Sequence, residues 1–323
     1  MTYLLSLLDK SPVATATDTD ALAATIALAE AADQLGYHRY WLAEHHGFDA
    51  LASAAPELVV AHLLARTRAL RIGTGGILLQ HYSPYKVAEI ASVLSHLGPG
   101  RVDIGIGKAP GGLPQSTRAL QSERVTPRDF NTKLVELDGW LKGRALGAEL
   151  RPAPRQGLEL FLLGASPDSA RRAAELGWGY VHAGHHDGDT DSLSRTIAIH
   201  AGGQGASMLA VTAFAAPSRG EAEEAVADLR VYRLQLPGGQ AVNLGSRAAA
   251  EDYAVESGVQ NYSISERRPR IVAGTGEDIH EELASLRRAH GVREFILDIP
   301  VADAARRLRS IQLIARARQR RAA

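Results

Sequence analysis

The chain has 323 residues, of which 45% are hydrophobic, and this is enough to bury a sizeable core. Its 36 basic and 36 acidic residues cancel, so it lacks the basic excess that is typical of nucleic-acid-binding proteins. The absence of cysteine excludes disulfides, thiolate metal ligands and a cysteine nucleophile. Segment 1–9 has neither the basic start nor the cleavage site of a signal peptide, and no apolar run is long enough to predict a membrane span. We therefore expect a cytoplasmic protein.

Short apolar runs alternate with amphipathic helical segments along the chain. In chain order, strands are predicted at residues 3–8, 40–42, 70–79, 102–106, 158–163, 180–182, 208–214 and 295–299. Helices are predicted at residues 19–35, 56–66, 84–97, 130–141, 167–176, 219–234, 277–290 and 302–318. This alternation is typical of parallel strands joined by helical crossovers.

Eight strand–helix units predict an α/β fold closed into a (β/α)8 TIM barrel, with residues 1–323 as a single domain. An open doubly wound sheet is the rival fold, but the chain lacks an N-terminal strand–GxGxxG–helix unit with an acidic residue downstream. Two stretches, 108–128 and 235–270, are irregular and longer than ordinary connections. We predict that they are loop insertions of the kind that form functional lids or are disordered.

The second predicted strand is followed directly by Glu44, His45 and His46. The active site of a parallel barrel lies at the C-terminal ends of its strands, so these residues are expected at its rim. A carboxylate beside two imidazoles suits a proton relay or a metal site. The alternative interpretation is that one histidine packs against a helix and the other is solvated.

The third predicted strand contains the run Gly73-Thr74-Gly75-Gly76-Ile77. Glycines inside a strand usually mark a bulge or a place where another group approaches the backbone closely. A flat ring system at the mouth of the barrel would need such bare backbone. Tight packing against a neighbouring helix is the alternative.

Lys108 follows the fourth predicted strand in a glycine-rich loop, and it is one of only five lysines in the chain. Ser166 and Ser169 follow the fifth strand, where Ser166 is placed to cap a helix that begins with Pro167. An ammonium group and a helix start on neighbouring strands are typical of a phosphate site. The alternatives are a solvated lysine and a simple helix cap.

Five histidines fall near the same predicted rim and raise a metal hypothesis. They are His45, His46, His182, His185 and His186. A barrel amidohydrolase would need a His-x-His pair at the end of the first strand. That strand ends in Leu7-Leu8-Asp9-Lys10, so a metal site is disfavoured.

The segment from Gly36 to His46, GYHRYWLAEHH, resembles the signature of the bacterial luciferase-like flavin monooxygenase family. The Gly-Thr third strand, the Tyr82-Ser83-Pro84 helix start with a following Ala-Glu, and the Gly-Arg before strand four match the family as well. The resemblance covers essentially the whole chain and is densest over residues 1–112. In length the chain is similar to the non-luminescent, single-chain branch.

The resemblance implies a catalytic role for His45, which would handle protons beside the flavin ring, and places Glu44 near that ring. It also implies that Gly75 and Gly76 form a bulge with a non-proline cis peptide that supports the isoalloxazine. The stretch 235–270 would correspond to a mobile segment that covers the site.

The family's phosphate site falls on Lys108, Ser166 and Ser169. Lys108 stands where the family usually has Arg; it keeps the charge but loses the bidentate fork. Ala165 replaces an acidic residue of true luciferases. His185 falls on a rim histidine of the non-luminescent branch.

The resemblance therefore implies a bacterial, homodimeric monooxygenase that uses reduced FMN and O₂ on an organic substrate. The FMN would be dissociable and supplied by a separate flavin reductase. Three alternatives stay open: an F420-dependent dehydrogenase on the same barrel, a flavin-binding protein without turnover, and a metal-dependent hydrolase. The sequence does not identify the substrate.

Overall fold

The computed structural model describes residues 3–14, 20–109, 111–122, 128–144, 149–183, 190–239 and 241–322. The strands are β1 (Leu4–Asp9), β2 (Arg39–Leu42), β3 (Arg71–Leu78), β4 (Val102–Gly107), β5 (Glu159–Gly164), β6 (Gly179–His182), β7 (Ser207–Ala215), β8 (Val231–Gln235), β9 (Ala241–Leu244), β10 (Ser263–Arg267), β11 (Val272–Gly274) and β12 (Glu294–Asp298).

Helices lie between most of these strands. They are α1 (Ala21–Gln34), α2 (Pro56–Arg66), α3 (Pro84–Leu97), α4 (Pro114–Gln121), α5 (Phe130–Leu141), α6 (Pro167–Leu176), α7 (Thr190–His200), α8 (Arg219–Val226), α9 (Arg247–Glu256), α10 (Gly276–His290) and α11 (Ala304–Ala322). Within the described part of the chain, no helix is both long and apolar enough to cross a membrane.

Eight parallel strands, β1 to β7 and β12, form a closed barrel. The order β7-β12-β1-β2-β3-β4-β5-β6 is completed by the pairing of β6 with β7. Each of the eight predicted strands overlaps one of these barrel strands. The predicted (β/α)8 barrel is therefore confirmed.

Apolar side chains fill the interior of the barrel. Leu8, Trp41, Phe161, Met208 and Ile296 form one buried cluster there. A larger cluster lies between the strands and the surrounding helices. Because both faces of a parallel sheet are covered, its strands can be short and almost wholly apolar, which is why the sequence pattern located them.

Buried ion pairs join the strands at the N-terminal end of the barrel. Arg39 lies 2.9 Å from both Asp103 and Glu294, and Arg71 lies 2.6 Å from Asp103. Burial lowers the pKa of Arg39, but the carboxylates of Asp103 and Glu294 raise it by more, so the guanidinium stays charged. These charges hold the floor of the barrel and leave the C-terminal end for a site.

The predicted irregular loop 235–270 is wrong, because this region is a folded insertion. β8 pairs antiparallel with both β9 and β10. The sheet and α9 share a small core of Leu234, Leu236, Leu244, Ala250, Tyr253 and Ala254. Short antiparallel strands with one exposed face contain few apolar residues, so their pattern is weak. The prediction of a helix over residues 219–234 was too long for the same reason. The helix α8 ends at Val226, and residues 231–235 form β8.

The other predicted loop, 108–128, contains the helix α4. The N–H of Gln115 donates to Oε2 of Glu256 at 3.0 Å, and Arg118 donates to the carbonyl oxygen of Glu256 at 2.9 Å. These bonds dock α4 on α9. The helix α7 was not predicted from the sequence, although Leu193 and Thr196 have helical spacing and are buried.

Candidate active site

The buried carboxylate of Glu44, just after β2, connects several segments at the rim of the barrel. Glu44 is only 3% exposed, and its Oε1 accepts hydrogen bonds from Tyr82 Oη and from Nε2 of His46, each at 2.7 Å. Its Oε2 accepts from the backbone N–H of Leu78 at 3.0 Å. Three donors from different segments therefore fix the Glu44 side chain at the end of β3.

Tyr82 is a functional candidate that the sequence pattern did not single out. It appeared only as part of a helix start, because its partner Glu44 lies 38 residues away and no local pattern reports such a contact. Burial and the adjacent Glu44 carboxylate raise the pKa of Tyr82 above its usual range. Tyr82 therefore stays a neutral hydrogen-bond donor near neutral pH.

His46 is part of the structural framework of the rim. Its N–H donates to the carbonyl oxygen of Gly111 at 2.9 Å, and its own carbonyl oxygen accepts from Leu113 at 3.2 Å. The imidazole meets the ring of His81 edge-on, with centroids 5.8 Å apart. With its Nε2 bonded to Glu44, His46 ties the loop after β2 to the loop after β4.

His45 faces a different environment from its two neighbours. It is half-buried, its N–H donates to the carbonyl oxygen of Ser53 at 2.9 Å, and its ring lies edge-on to Phe48. The His45 side chain lines a cavity of about 660 Å³ that is also bounded by Leu113 and Leu244. Of the Glu44–His46 triplet, His45 is thus the side chain placed to meet a ligand.

The glycine-rich third strand has a bulge at the predicted position. The Gly75–Gly76 peptide bond is cis, and the pairing of β3 with β4 shifts register between Gly75 and Ile77. A Cβ on Gly76 would lie 2.6 Å from the carbonyl oxygen of Gly105, and one on Gly75 would lie 2.8 Å from Leu8. The close neighbours are barrel strands, so the alternative of packing against a helix is wrong.

The predicted phosphate residues follow two adjacent strands. Lys108 is exposed, and its Nζ lies 5.9 Å from the centroid of the Phe130 ring. The register pairs Ile106 of β4 with Leu162 of β5, so both strands end side by side. Ser166 caps α6, as predicted: its Oγ accepts from the Ser169 N–H at 3.2 Å and lies 3.0 Å from Ser169 Oγ.

The remaining predicted site residues contribute less. Ala165 is exposed at the same strand end and offers only its backbone. His185 and His186 lie outside the described residues. His182 is buried, and its Nδ1 lies 2.8 Å from Thr196 Oγ1, so it belongs to the core. Among the described residues, no group of three or more His, Asp or Glu side chains could hold a metal ion.

Comparison of the sequence with known proteins identifies the family of this chain. The family model for luciferase-like monooxygenases matches residues 1–294. The N-acetyl-S-alkylcysteine monooxygenase of Bacillus subtilis (strain 168) is 40% identical over 323 aligned residues, which cover 96% of each protein.

Solved structures have the same architecture. The crystal structure of apo-MsnO8 is similar with a TM-score of 0.80 and 29% identity, over 98% of each chain. The oxygenating constituent of 3,6-diketocamphane monooxygenase from a Pseudomonas putida plasmid, solved with FMN, has a TM-score of 0.68 at 18% identity over 98% of each chain, a likeness of fold. The match along most of the sequence and the relative at 40% identity show that the chain is an enzyme of the luciferase-like monooxygenase family.

Proposed function

We propose that this protein is a flavin-dependent monooxygenase that uses reduced FMN and O₂ on a small organic substrate. The observation that carries the proposal is the position of His45, which lines a cavity of about 660 Å³ at the C-terminal end of the barrel. The register pairs Leu42 with Thr74, so His45 and Glu44 follow β2 beside the Gly75–Gly76 bulge. A titratable side chain and a cavity therefore lie at the rim of the barrel, next to the strand that carries the bulge.

The chemistry of the donors after β4 and β5 fits the phosphate of FMN. Lys108 offers an ammonium group, and Ser166 and Ser169 offer hydroxyl groups on the adjacent strand end. The bulge at Gly75 and Gly76 has no side chain, which suits a flat ring. Reduced FMN, when bound, would supply the electrons for the reaction of O₂ with the substrate.

The residues of the chain itself position groups and manage protons. His45 lines the cavity, so its imidazole is placed to exchange a proton with a ligand bound there. An imidazole can both accept and donate a proton, which suits this role. Glu44 keeps the loop that carries His45 against the end of β3 through its bond to Leu78. The folded insertion forms the outer wall of the cavity through Val231, Asn243 and Leu244.

The name of one relative supports a proposal for the substrate class. That protein is named for oxidation of N-acetyl-S-alkylcysteines, and the alignment with it covers 96% of this chain. The cavity walls include Phe48, Leu51, Leu113, Val231 and Leu244, which suit an alkyl group. We therefore assign an S-alkyl thioether of an amino acid derivative as the substrate class. A separate flavin reductase and a homodimeric assembly belong to the same proposal.

The test is reconstitution with purified protein. FMN binding is measured by quenching of flavin fluorescence, with F420 as the competing cofactor. Turnover is then measured with a flavin reductase, NADH, O₂ and N-acetyl-S-methylcysteine, and isotopically labelled O₂ reports oxygen incorporation. We expect FMN binding and one labelled oxygen atom in a product. The proposal would be overturned if the protein bound neither oxidised nor reduced FMN. It would also be overturned if the protein bound F420 and not FMN.

A further inference from the structure

We propose that Lys10 anchors an acidic group of the substrate, so that the cavity selects organic acids. This inference rests on the proposed function and names the part of the substrate that the chain recognises. Lys10 follows β1 directly and lines the same cavity as His45. The register pairs Asp9 with Leu42, so Lys10 leaves β1 beside residue 43, two residues before His45.

Lys10 is the only lysine or arginine on the wall of this cavity among the described residues. The apolar part of the wall contains Phe48 and Leu113, and Lys10 is the one lysine or arginine beside it within the ranges that the structure describes. The acidic side chains on the wall, Asp49 and Asp252, are exposed, so solvent screens them. A ligand that places an alkyl group on the apolar wall would therefore direct an acidic group towards Lys10.

The hydrogen-bonding capacity of Lys10 is not exhausted by the protein. Its Nζ donates to Oδ2 of Asp298 at 2.6 Å, and this is the one partner it has in the described part of the chain. An ammonium group has three donors, so two are left for a ligand. Lys133 shows the contrast: its Nζ donates to the carbonyl oxygens of Leu79, Gln80 and Tyr82, which use all three donors for structure.

Asp298 fixes the position of the ammonium group. Its side chain is only 6% exposed, whereas that of Lys10 is 25% exposed, so the ion pair has a buried side and an open side. A second cavity of about 280 Å³ adjoins this pair and shares Lys10, Leu51 and Val231 with the first. Lys10 therefore borders both cavities.

The experiment compares an acid with its neutral amide in the reconstituted enzyme. N-acetyl-S-methylcysteine and its carboxamide differ only in the charged group. For the wild type we expect KM for the amide to be at least about tenfold higher. In Lys10→Met, KM for the acid should rise by about tenfold while KM for the amide stays within about twofold. Lys10→Arg should keep most of the preference for the acid.

Two further variants guard against misfolding and unspecific effects. Lys10→Met removes an ion-pair partner from Asp298, so the double variant Lys10→Met/Asp298→Asn removes both charges and should also lose the preference for the acid. Lys142→Met is the matched control, because Lys142 forms a comparable ion pair with Asp138 on the outer helical layer. Its KM values should equal those of the wild type.

The outcomes separate the two proposals. If the wild type oxidises neither acid nor amide although it binds FMN, the proposed thioether substrate is wrong. If the wild type oxidises both with equal KM, or if folded Lys10→Met keeps the wild-type preference for the acid, the assignment of Lys10 is wrong while the monooxygenase function stands.

Discussion

The hydroxyl group of Tyr82 donates a 2.7 Å hydrogen bond to Oε1 of Glu44, across 38 residues of sequence. The same carboxylate oxygen accepts from His46, so a single buried atom joins the loops after β2 and β3. Loss of one donor leaves a buried carboxylate less well satisfied, which is costly.

Tyr82→Phe should lower the free energy of unfolding by about 1–3 kcal/mol, because the ring is kept and only the donor to Glu44 is removed. Urea unfolding measures the change. Tyr85→Phe is the matched control three residues further along the chain. Tyr85 lies in the first turn of α3 and packs edge-on against Trp140, so its change should stay below about 0.5 kcal/mol. Equal effects of the two variants would contradict the structural role of the Tyr82–Glu44 bond.

His45→Asn should lower kcat by about 100-fold or more while the Kd for FMN stays close to that of the wild type. The reason is that the imidazole is assigned to proton transfer and lies on the cavity wall rather than at the phosphate site. His62→Asn is the control, because His62 is exposed on α2. A His45→Asn enzyme with full turnover would remove His45 from the catalytic machinery.

Lys108→Met should raise the Kd for FMN by roughly tenfold, and Lys108→Arg should lower it, since a guanidinium group adds a bidentate contact to phosphate. The effect should shrink at high salt because Lys108 is exposed. Fluorescence titration with FMN and with riboflavin separates the contribution of the phosphate to binding from that of the ring system, since riboflavin has no phosphate. If Lys108→Met weakens riboflavin binding as much as FMN binding, Lys108 does not hold the phosphate.

Gly76→Ala should lower the free energy of unfolding by about 1–3 kcal/mol, because a Cβ at this position would lie 2.6 Å from the carbonyl oxygen of Gly105, and backbone cannot move aside easily. The control is Gly220→Ala in α8, where a Cβ meets nothing within 4 Å. Since alanine favours a helix over glycine by about 0.5–1 kcal/mol, this control should be slightly stabilised. A tolerated Gly76→Ala would contradict the close approach of β3 and β4.

The alkaline stability of the protein should depend on Tyr180, because burial raises the pKa of this residue to about 12. An unfolded tyrosine titrates near pH 10, so the stability contributed by the neutral buried form is complete below about pH 10 and is lost as the pH rises towards 12. Tyr180→Phe loses the 2.7 Å bond to the carbonyl oxygen of Gly164 and should be less stable by about 1 kcal/mol near pH 8. Urea unfolding near pH 8 and near pH 11 should show this difference shrinking, and a constant difference would contradict the raised pKa.

Local pattern predicted the parts of the site that depend on local chemistry. The glycine run of β3 predicted a bulge, and Ser166 before Pro167 predicted a helix cap; both are present. Both follow from the backbone freedom of glycine and from the hydrogen bond of a capping side chain, which act over a few residues. The roles assigned to Lys108, His45 and Glu44 stay predictions for the experiments above.

The sequence by itself determined the barrel, because short apolar runs buried on both faces leave a strong and regular pattern. It did not determine the insertion around β8, β9 and β10, because strands with one exposed face contain fewer apolar residues and give only a weak sequence pattern. Only the tertiary structure decided how Glu44, His45 and His46 divide their roles. Neighbours in the chain point in different directions once the fold is formed: Glu44 is bound by Tyr82, His46 by Glu44, and His45 is left on the wall of the cavity.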